Sequence, residues 1–291
     1  MMTIQELQPK LFETFTNIIQ SGRLNHAYLF SGDFASLDMA IYIAKSIFCQ
    51  SKLNDLPCQT CRVCRLIDKG EFPDLKIIEP SGQIIKTEVI KEVMKDFTKT
   101  GLEGEKQVFI IRDCDKMHIN AANSLLKYIE EPQSQSYIFL LTSDDNKVLP
   151  TIKSRTQVFH FPKNRSVLLE YALQKGLLKT QADILVEISK DPKDLEKKLD
   201  SKASQLIQTC QKWVALLKRD SDQAYLEISK LVQQATDKFE QEMVFQILMI
   251  IFSKQIEGNE DLIWIEKIYN AQQMWMNYVS FQNALEYMIL S

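Results

Sequence analysis

The chain has 291 residues, 45% hydrophobic and 25% charged, with a formal net charge of −3. That length supports more than one domain and a sizeable core, while the acidic balance excludes a uniformly basic nucleic-acid binder and leaves room only for a local basic face. No apolar run reaches the ~18 residues of a membrane span, and the longest, 243–252, reads as a buried helix.

The opening "MMTIQELQPKLFETF" is amphipathic without the apolar centre of a signal peptide, so a cytoplasmic protein is expected. The first strand is expected at Ala27–Phe30, followed by a turn at Ser31-Gly32 and a helix from about Ser36, with Leu37, Ala40, Ile41, Ala44, Ile47 and Phe48 at helical spacing. A strand, a small turn and a helix are the setting of a phosphate loop, G-x-x-x-x-G-K-[ST]. Laid on that template from Gly32, the second Gly becomes Leu37, the Lys becomes Asp38 and the hydroxyl residue becomes Met39. The stretch is either a phosphate loop that has lost its chemistry or a turn that never had any.

That helix runs into "CQSKLNDLPCQTCRVC", where Cys49, Cys58, Cys61 and Cys64 follow a C-x8-C-x2-C-x2-C spacing. Four thiolates are the ligand set of a closed tetrahedral zinc site, and two residues between ligands let the chain turn both sulfurs to one ion. In an intracellular protein such spacing points to metal rather than disulfides. Arg62 and Arg65 flank the ligands and can offset the charge of four thiolates. The expected role is to fold the insert, since no open coordination position is implied; a knuckle of this kind can also bind DNA, which stays open. Cys114 and Cys210 are isolated and read as buried small side chains.

Further strands are expected at Leu75–Ile78, Gln107–Ile111, Tyr137–Thr142 and Gln157–His160, with helices in "TEVIKEVMKDFTKT" and in "INAANSLLKYIEEP", the latter ending at Pro132. Short aliphatic strands that alternate with helices imply a parallel sheet covered on both faces. The strand at Gln107–Ile111 runs into acidic residues, as the magnesium-binding strand of a phosphate-loop NTPase does. Here Arg112 stands where the metal-linked Asp belongs and Asp113 where the water-activating Glu belongs; a cation at the first position repels the metal. His26 and His160 are placed on strands and His118 at a helix start, with no nucleophile at a matching spacing, so all three read as core or surface residues. Beyond "FHFPKN" every segment is helical, in keeping with only 8 Gly in the chain. The expected layout is an α/β domain over 1–160 with the cysteine insert at 49–64, a small helical domain over 161–201 and a helical domain over 202–291. In the last, Trp213, Trp264, Trp275, Tyr278 and Phe281 read as core.

"HAYLFSG", the four-cysteine insert, "AANSLLKYIEEP", "FLLTSD" and "LPTIKSRTQVFHF" together resemble the clamp-loader family of AAA+ proteins that serves bacterial DNA polymerase III. The broken loop resembles the kind of subunit in that family that does not bind ATP. The resemblance covers 1–160 with specific motifs and the helical remainder in length and class. It implies a Rossmann-like AAA+ domain, an all-α lid and an all-α collar that joins a five-subunit ring with the delta and gamma/tau subunits; the ring opens the sliding clamp and places it on primer-template DNA. It also implies an accessory subunit of the polymerase holoenzyme rather than an enzyme acting alone, with zinc but no ATP of its own. The family's Ser-Arg-Cys motif is matched by Ser154-Arg155-Thr156, which implies Arg155 as an arginine finger reaching into the neighbour's ATP site; a planar, permanently charged fork suits that role, and Thr156 in place of Cys leaves the charge untouched. Thr142 falls at the first-sensor position, where capping of backbone groups serves equally well, and Lys193 lies near the lid's sensor arginine with no function assigned. Two rival readings are an ATP-hydrolysing gamma/tau-like subunit, which Asp38 and Met39 oppose, and a zinc-dependent DNA-binding module, which the acidic balance disfavours as a sole role.

Overall fold

A computed structural model of the chain describes residues 2–80, 82, 84–97, 105–131, 135–254 and 259–291. It divides into two compact units, Met1–Asn164 and Arg165–Ser291.

The first unit opens with α1 (Ile4–Leu7), held by a capping box in which Thr3 and Glu6 satisfy each other's backbone amides, and α2 (Pro9–Gln20), whose proline occupies the first helical position where its missing N–H costs nothing. Then follow β1 (Ala27–Ser31), α3 (Ser36–Phe48), α4 (Arg62–Lys69), β2 (Leu75–Ile78), α5 (Thr87–Phe97), β3 (Lys106–Ile111), α6 (Ile119–Glu130), β4 (Gln135–Thr142), α7 (Pro150–Lys153) and β5 (Gln157–His160). Every expected strand is present, within two residues at each end. Pro132, expected to end α6, lies outside the described residues.

The five strands form one sheet in the order β2-β3-β4-β1-β5, and every pairing is parallel. Leu29 stands beside Leu140 on one side and Val158 on the other. Strand alternation sends Tyr28, Phe30, Val108, Ile110, Phe139 and Leu141 to one face, where they pack on Phe15, Met39, Ile43 and Val63. Ala27, Leu29, Phe109, Ile111, Ile138 and Leu140 go to the other, against Ile90, Ala121, Leu125 and Ile152. The interior strand β1 is therefore buried along its whole length, which is why its sequence is a nearly continuous apolar run rather than an alternating one. The first face is aromatic: Tyr28 stacks on Phe139 at 5.5 Å between centroids, and Phe15 meets Phe30 edge-on at 5.4 Å. Such pairs add ~0.5–1.5 kcal/mol beyond the burial of their area.

The second unit is all-helical: α8 (Arg165–Gln174), α9 (Lys179–Ile188), α10 (Pro192–Leu199), α11 (Ala203–Leu217), α12 (Ser221–Leu226), α13 (Ile228–Gln234), α14 (Lys238–Lys254), α15 (Asn259–Met276) and α16 (Phe281–Leu290). The aromatics divide. Trp213 is buried and donates its indole N–H to the Ala224 carbonyl at 2.9 Å, and Phe281 packs edge-on against Phe245. Trp264 and Trp275 are half-buried. Tyr278 departs from the core expectation: it is 93% exposed, in a left-handed conformation (φ +68°) at the turn between α15 and α16. Cys114 and Cys210 are buried as expected, and desolvation pushes both thiols up. Among the described residues no helix is long and apolar enough to cross a membrane.

Candidate functional site

The segment after β1 lies at the carboxyl end of a central strand of a parallel sheet, the place where open α/β folds bind ligands. Its conformation is set by close packing. Gly32 adopts φ +105°, and a Cβ there would stand 2.3 Å from the Phe161 carbonyl oxygen, so only glycine fits. The Gly32 amide donates to Thr142 O at 2.7 Å, and the Phe161 amide to Ser31 O at 2.6 Å. Phe34 and Ala35 are buried. Gln8 is buried as well, and its side-chain amide donates to Phe34 O at 3.1 Å and Pro162 O at 2.8 Å. Met39, at the hydroxyl position of the template, is fully buried in the aromatic face with Phe15, Tyr28 and Phe30. The Met39 side chain is thus part of the core packing.

The end of β3 is equally altered. Arg112 forms an ion pair with Glu79, just beyond β2, and so turns along the sheet edge. Asp113 is left-handed (φ +48°) and accepts a 3.0 Å hydrogen bond from Lys116. That bond, with the charges of Asp113, Asp115 and Asp33, raises the lysine's proton affinity. Three carboxylates therefore lie around Lys116 near the turn after β1. Thr142, at the sensor position, is 1% exposed, and its hydroxyl donates to Asp115 Oδ1 at 2.7 Å and accepts from the Asp144 amide at 3.2 Å. Asp115 carries no motif signature and was invisible in the sequence.

Arg155 follows α7. Its Nε donates to the carboxylate of Glu130, at the end of α6, and its Nη1 to Thr151 O at 3.1 Å and Ser154 Oγ at 3.3 Å. Its side chain is 37% exposed. The turn that carries it is anchored from behind: Lys153 Nζ meets Asp145 Oδ2 at 3.0 Å, and Asp145 Oδ1 accepts from Ser31 Oγ at 2.9 Å. The hydrogen bonds from Lys153 and Ser31 hold the Asp145 carboxyl below the usual carboxylate range. Sequence reasoning missed Asp145 too.

The histidines have local roles. His26 lies just before β1 rather than on it, with Nε2 2.6 Å from Ile129 O. His118 caps α6 through Nδ1, and His160 ends β5. Lys193 sits exposed in the first turn of α10.

The four cysteines come together. All four sulfurs lie within 4.8 Å of one another, with Cys49–Cys58 at 3.5 Å and Cys49–Cys61 at 3.9 Å. A tetrahedron with Zn–S bonds of ~2.3 Å has edges of ~3.8 Å, whereas a disulfide needs ~2.05 Å. Backbone amides point at the sulfurs: Cys58 N to Cys49 Sγ and Cys61 N to Cys58 Sγ, both at 3.3 Å, and Cys64 N to Cys61 Sγ at 3.5 Å. Backbone N–H groups of Thr60 and Cys61 pull the Cys58 thiol down to about 6. The cluster joins the end of α3 to the start of α4, where Cys61 is the N-cap. Arg65 supports the knuckle by donating to Thr60 O at 2.8 Å, and buried Lys45 ties Gln59 at 2.8 Å to Asp68 at 2.6 Å. The arrangement is compatible with a structural metal site.

A five-stranded parallel sheet in the order β2-β3-β4-β1-β5, followed by an all-helical second unit, has the architecture of the AAA+ class. A family profile described as "DNA polymerase III, delta subunit" matches residues 7–165. The DNA polymerase III subunit delta' of Bacillus subtilis is 31% identical over 276 residues, covering 92% of this chain and 84% of that one. The chain belongs to the delta' family of bacterial DNA polymerase III. The tau subunit of Escherichia coli is 31% identical over 155 residues, 53% of this chain but only 24% of tau. In fold, the chain is similar to a DNA polymerase III gamma subunit-related protein of Thermotoga maritima, with a TM-score of 0.56, 18% identity, and coverage of 96% of this chain and 97% of that one.

Proposed function

We propose that the chain acts as the subunit of the clamp loader that does not bind or hydrolyse ATP but supplies Arg155 to the ATP site of an adjoining gamma/tau subunit, in a ring that also contains delta and that loads the sliding clamp onto primer-template DNA. The observation that carries this reading is the contrast between two places on one sheet edge. At the loop, Met39 is buried in the core, Asp38 replaces the lysine and Arg112 is turned to Glu79. At the turn after α7, a guanidinium is held by three of its own chain's acceptors and still reaches solvent. Arginine supplied in trans stabilises the charge that develops on a transferring phosphoryl group, and in GTPases it contributes ~10³–10⁵ in rate.

Zinc held by Cys49, Cys58, Cys61 and Cys64 supplies a closed, redox-inert crosslink that fixes the connection from α3 to α4. A lid over 161–201 and a collar over 202–291 are the layout the delta' reading calls for, with the helical unit itself beginning at Arg165. The gamma/tau-like alternative requires this chain to bind nucleotide. Titrating the isolated chain with ATP separates the two readings: no saturable heat or fluorescence change is expected, and micromolar affinity contradicts the inactive-loop reading. In a reconstituted loader, Arg155→Lys keeps the charge but loses the fork, and is expected to slow the neighbour's hydrolysis.

A further inference from the structure

Glu130 and Glu131 close α6. Carboxylates there face the negative end of the helix dipole, an unfavourable placement. Residues that break a local rule commonly belong to functional sites. Glu130 takes the Nε–H of Arg155. The pair adds little to the fold, because its side chains are 37% and 46% exposed and solvent screens them. Its geometry matters more. With Nε on Glu130 and Nη1 on Thr151 O and Ser154 Oγ, the guanidinium is held from two sides, and Nη2 donates to no described residue.

Resting on the reading of Arg155 given above, we infer that Glu130 is the positioning residue of the finger. Its carboxylate draws the Nε–H toward the end of α6 and fixes the plane of the fork. The Nη2 corner is left for a phosphate oxygen of the neighbour's nucleotide. Glu130 touches no nucleotide; it acts through Arg155 by removing the rotamer freedom that a long exposed side chain otherwise keeps, so that the fork is already oriented when the subunits meet. The carboxylate that holds Nε also replaces water there, leaving Nη2 as the nitrogen whose hydration is exchanged for phosphate.

The test uses the whole loader, with its other nucleotide sites disabled, and reads kcat and KM for ATP with clamp and primed DNA present. Glu130→Ala is expected to lower kcat at the neighbouring site by about tenfold and to leave KM within about twofold, because orientation rather than nucleotide binding is lost. Glu130→Gln keeps an acceptor for Nε and is expected to lose less. The Glu130→Ala/Arg155→Ala double variant is expected to be no slower than Arg155→Ala alone, since Glu130 has nothing left to orient. Circular dichroism and gel filtration of each loader verify folding and assembly. Wild-type kcat in Glu130→Ala, a raised kcat that marks Glu130 as a latch, or additive losses in the double variant each overturn the inference while Arg155→Ala remains slow. A wild-type rate in Arg155→Ala instead overturns the finger reading and the inference with it.

Discussion

Asp145 binds Lys153 through Oδ2 at 3.0 Å and accepts the hydroxyl of Ser31 on Oδ1 at 2.9 Å. One carboxylate thus joins the end of β1, where the phosphate loop begins, to the last residue of α7, two positions before Arg155. The end of β1 thereby anchors the turn that carries Arg155.

The carboxyl of Asp145 is depressed in the folded chain by Lys153 and Ser31. A depressed carboxyl stabilises the fold above its unfolded value, ~3.9, and the contribution disappears as pH falls through the lower folded value. Asp145→Asn is therefore expected to lower stability at pH 7 by ~0.5–1 kcal/mol, in the range of a partly exposed pair. The gap to the parent protein should close as pH falls below ~4. Thermal melts across that range check this, and a gap that widens on acidification rules it out.

Thr142 is 1% exposed, and its hydroxyl is committed to Asp115 and the Asp144 backbone. Thr142→Val keeps the shape and leaves Asp115 short of one donor. A loss of ~0.5–1.5 kcal/mol in urea unfolding is expected, the net worth of a hydrogen bond whose carboxylate partner is only partly buried. A neutral substitution would mean that the hydroxyl does not hold this loop.

Rebuilding the loop motif with Asp38→Lys and Met39→Thr is expected to fail. Met39 fills the aromatic face of the sheet, and replacing a buried side chain by a shorter one leaves a cavity costing ~2–5 kcal/mol. Arg112 and the surrounding carboxylates still oppose magnesium and phosphate. Calorimetry with Mg-ATP should show a destabilised chain without saturable binding; recovery of micromolar affinity would show that two side chains alone separate this loop from an active one.

The purified chain is expected to carry about one zinc ion, the content of a single four-thiolate site. Cys58→Ser or Cys61→Ser should release most of it, and chelation should lower the melting temperature, because metal binding to a structural site is part of the folding free energy. A metal-free chain with an unchanged melt contradicts this.

The sheet was legible because its strands are unusually explicit. Ala27–Phe30 and Val108–Ile111 are buried on both faces and so appear as unbroken apolar runs. The cysteines were legible because their ligand spacing is local. Gln8, Lys45, Asp115 and Asp145 were not, since each finds its partners through the fold rather than along the chain. The same holds for the Glu130–Arg155 pair, which joins two motifs that are read separately in the sequence. Tyr278 failed for the opposite reason. Its apolar neighbours suggest a core helix, but the chain turns there with positive φ and leaves the ring in solvent.

The central claim is that this chain acts on a nucleotide it does not hold. It is tested most directly by ATP turnover in a loader assembled with Arg155→Ala and with the other nucleotide sites disabled. Turnover stimulated by clamp and primed DNA is expected to fall by ~10² or more at the adjoining site, while gel filtration shows the complex intact. An assembled complex that hydrolyses ATP at the unaltered rate would contradict the claim.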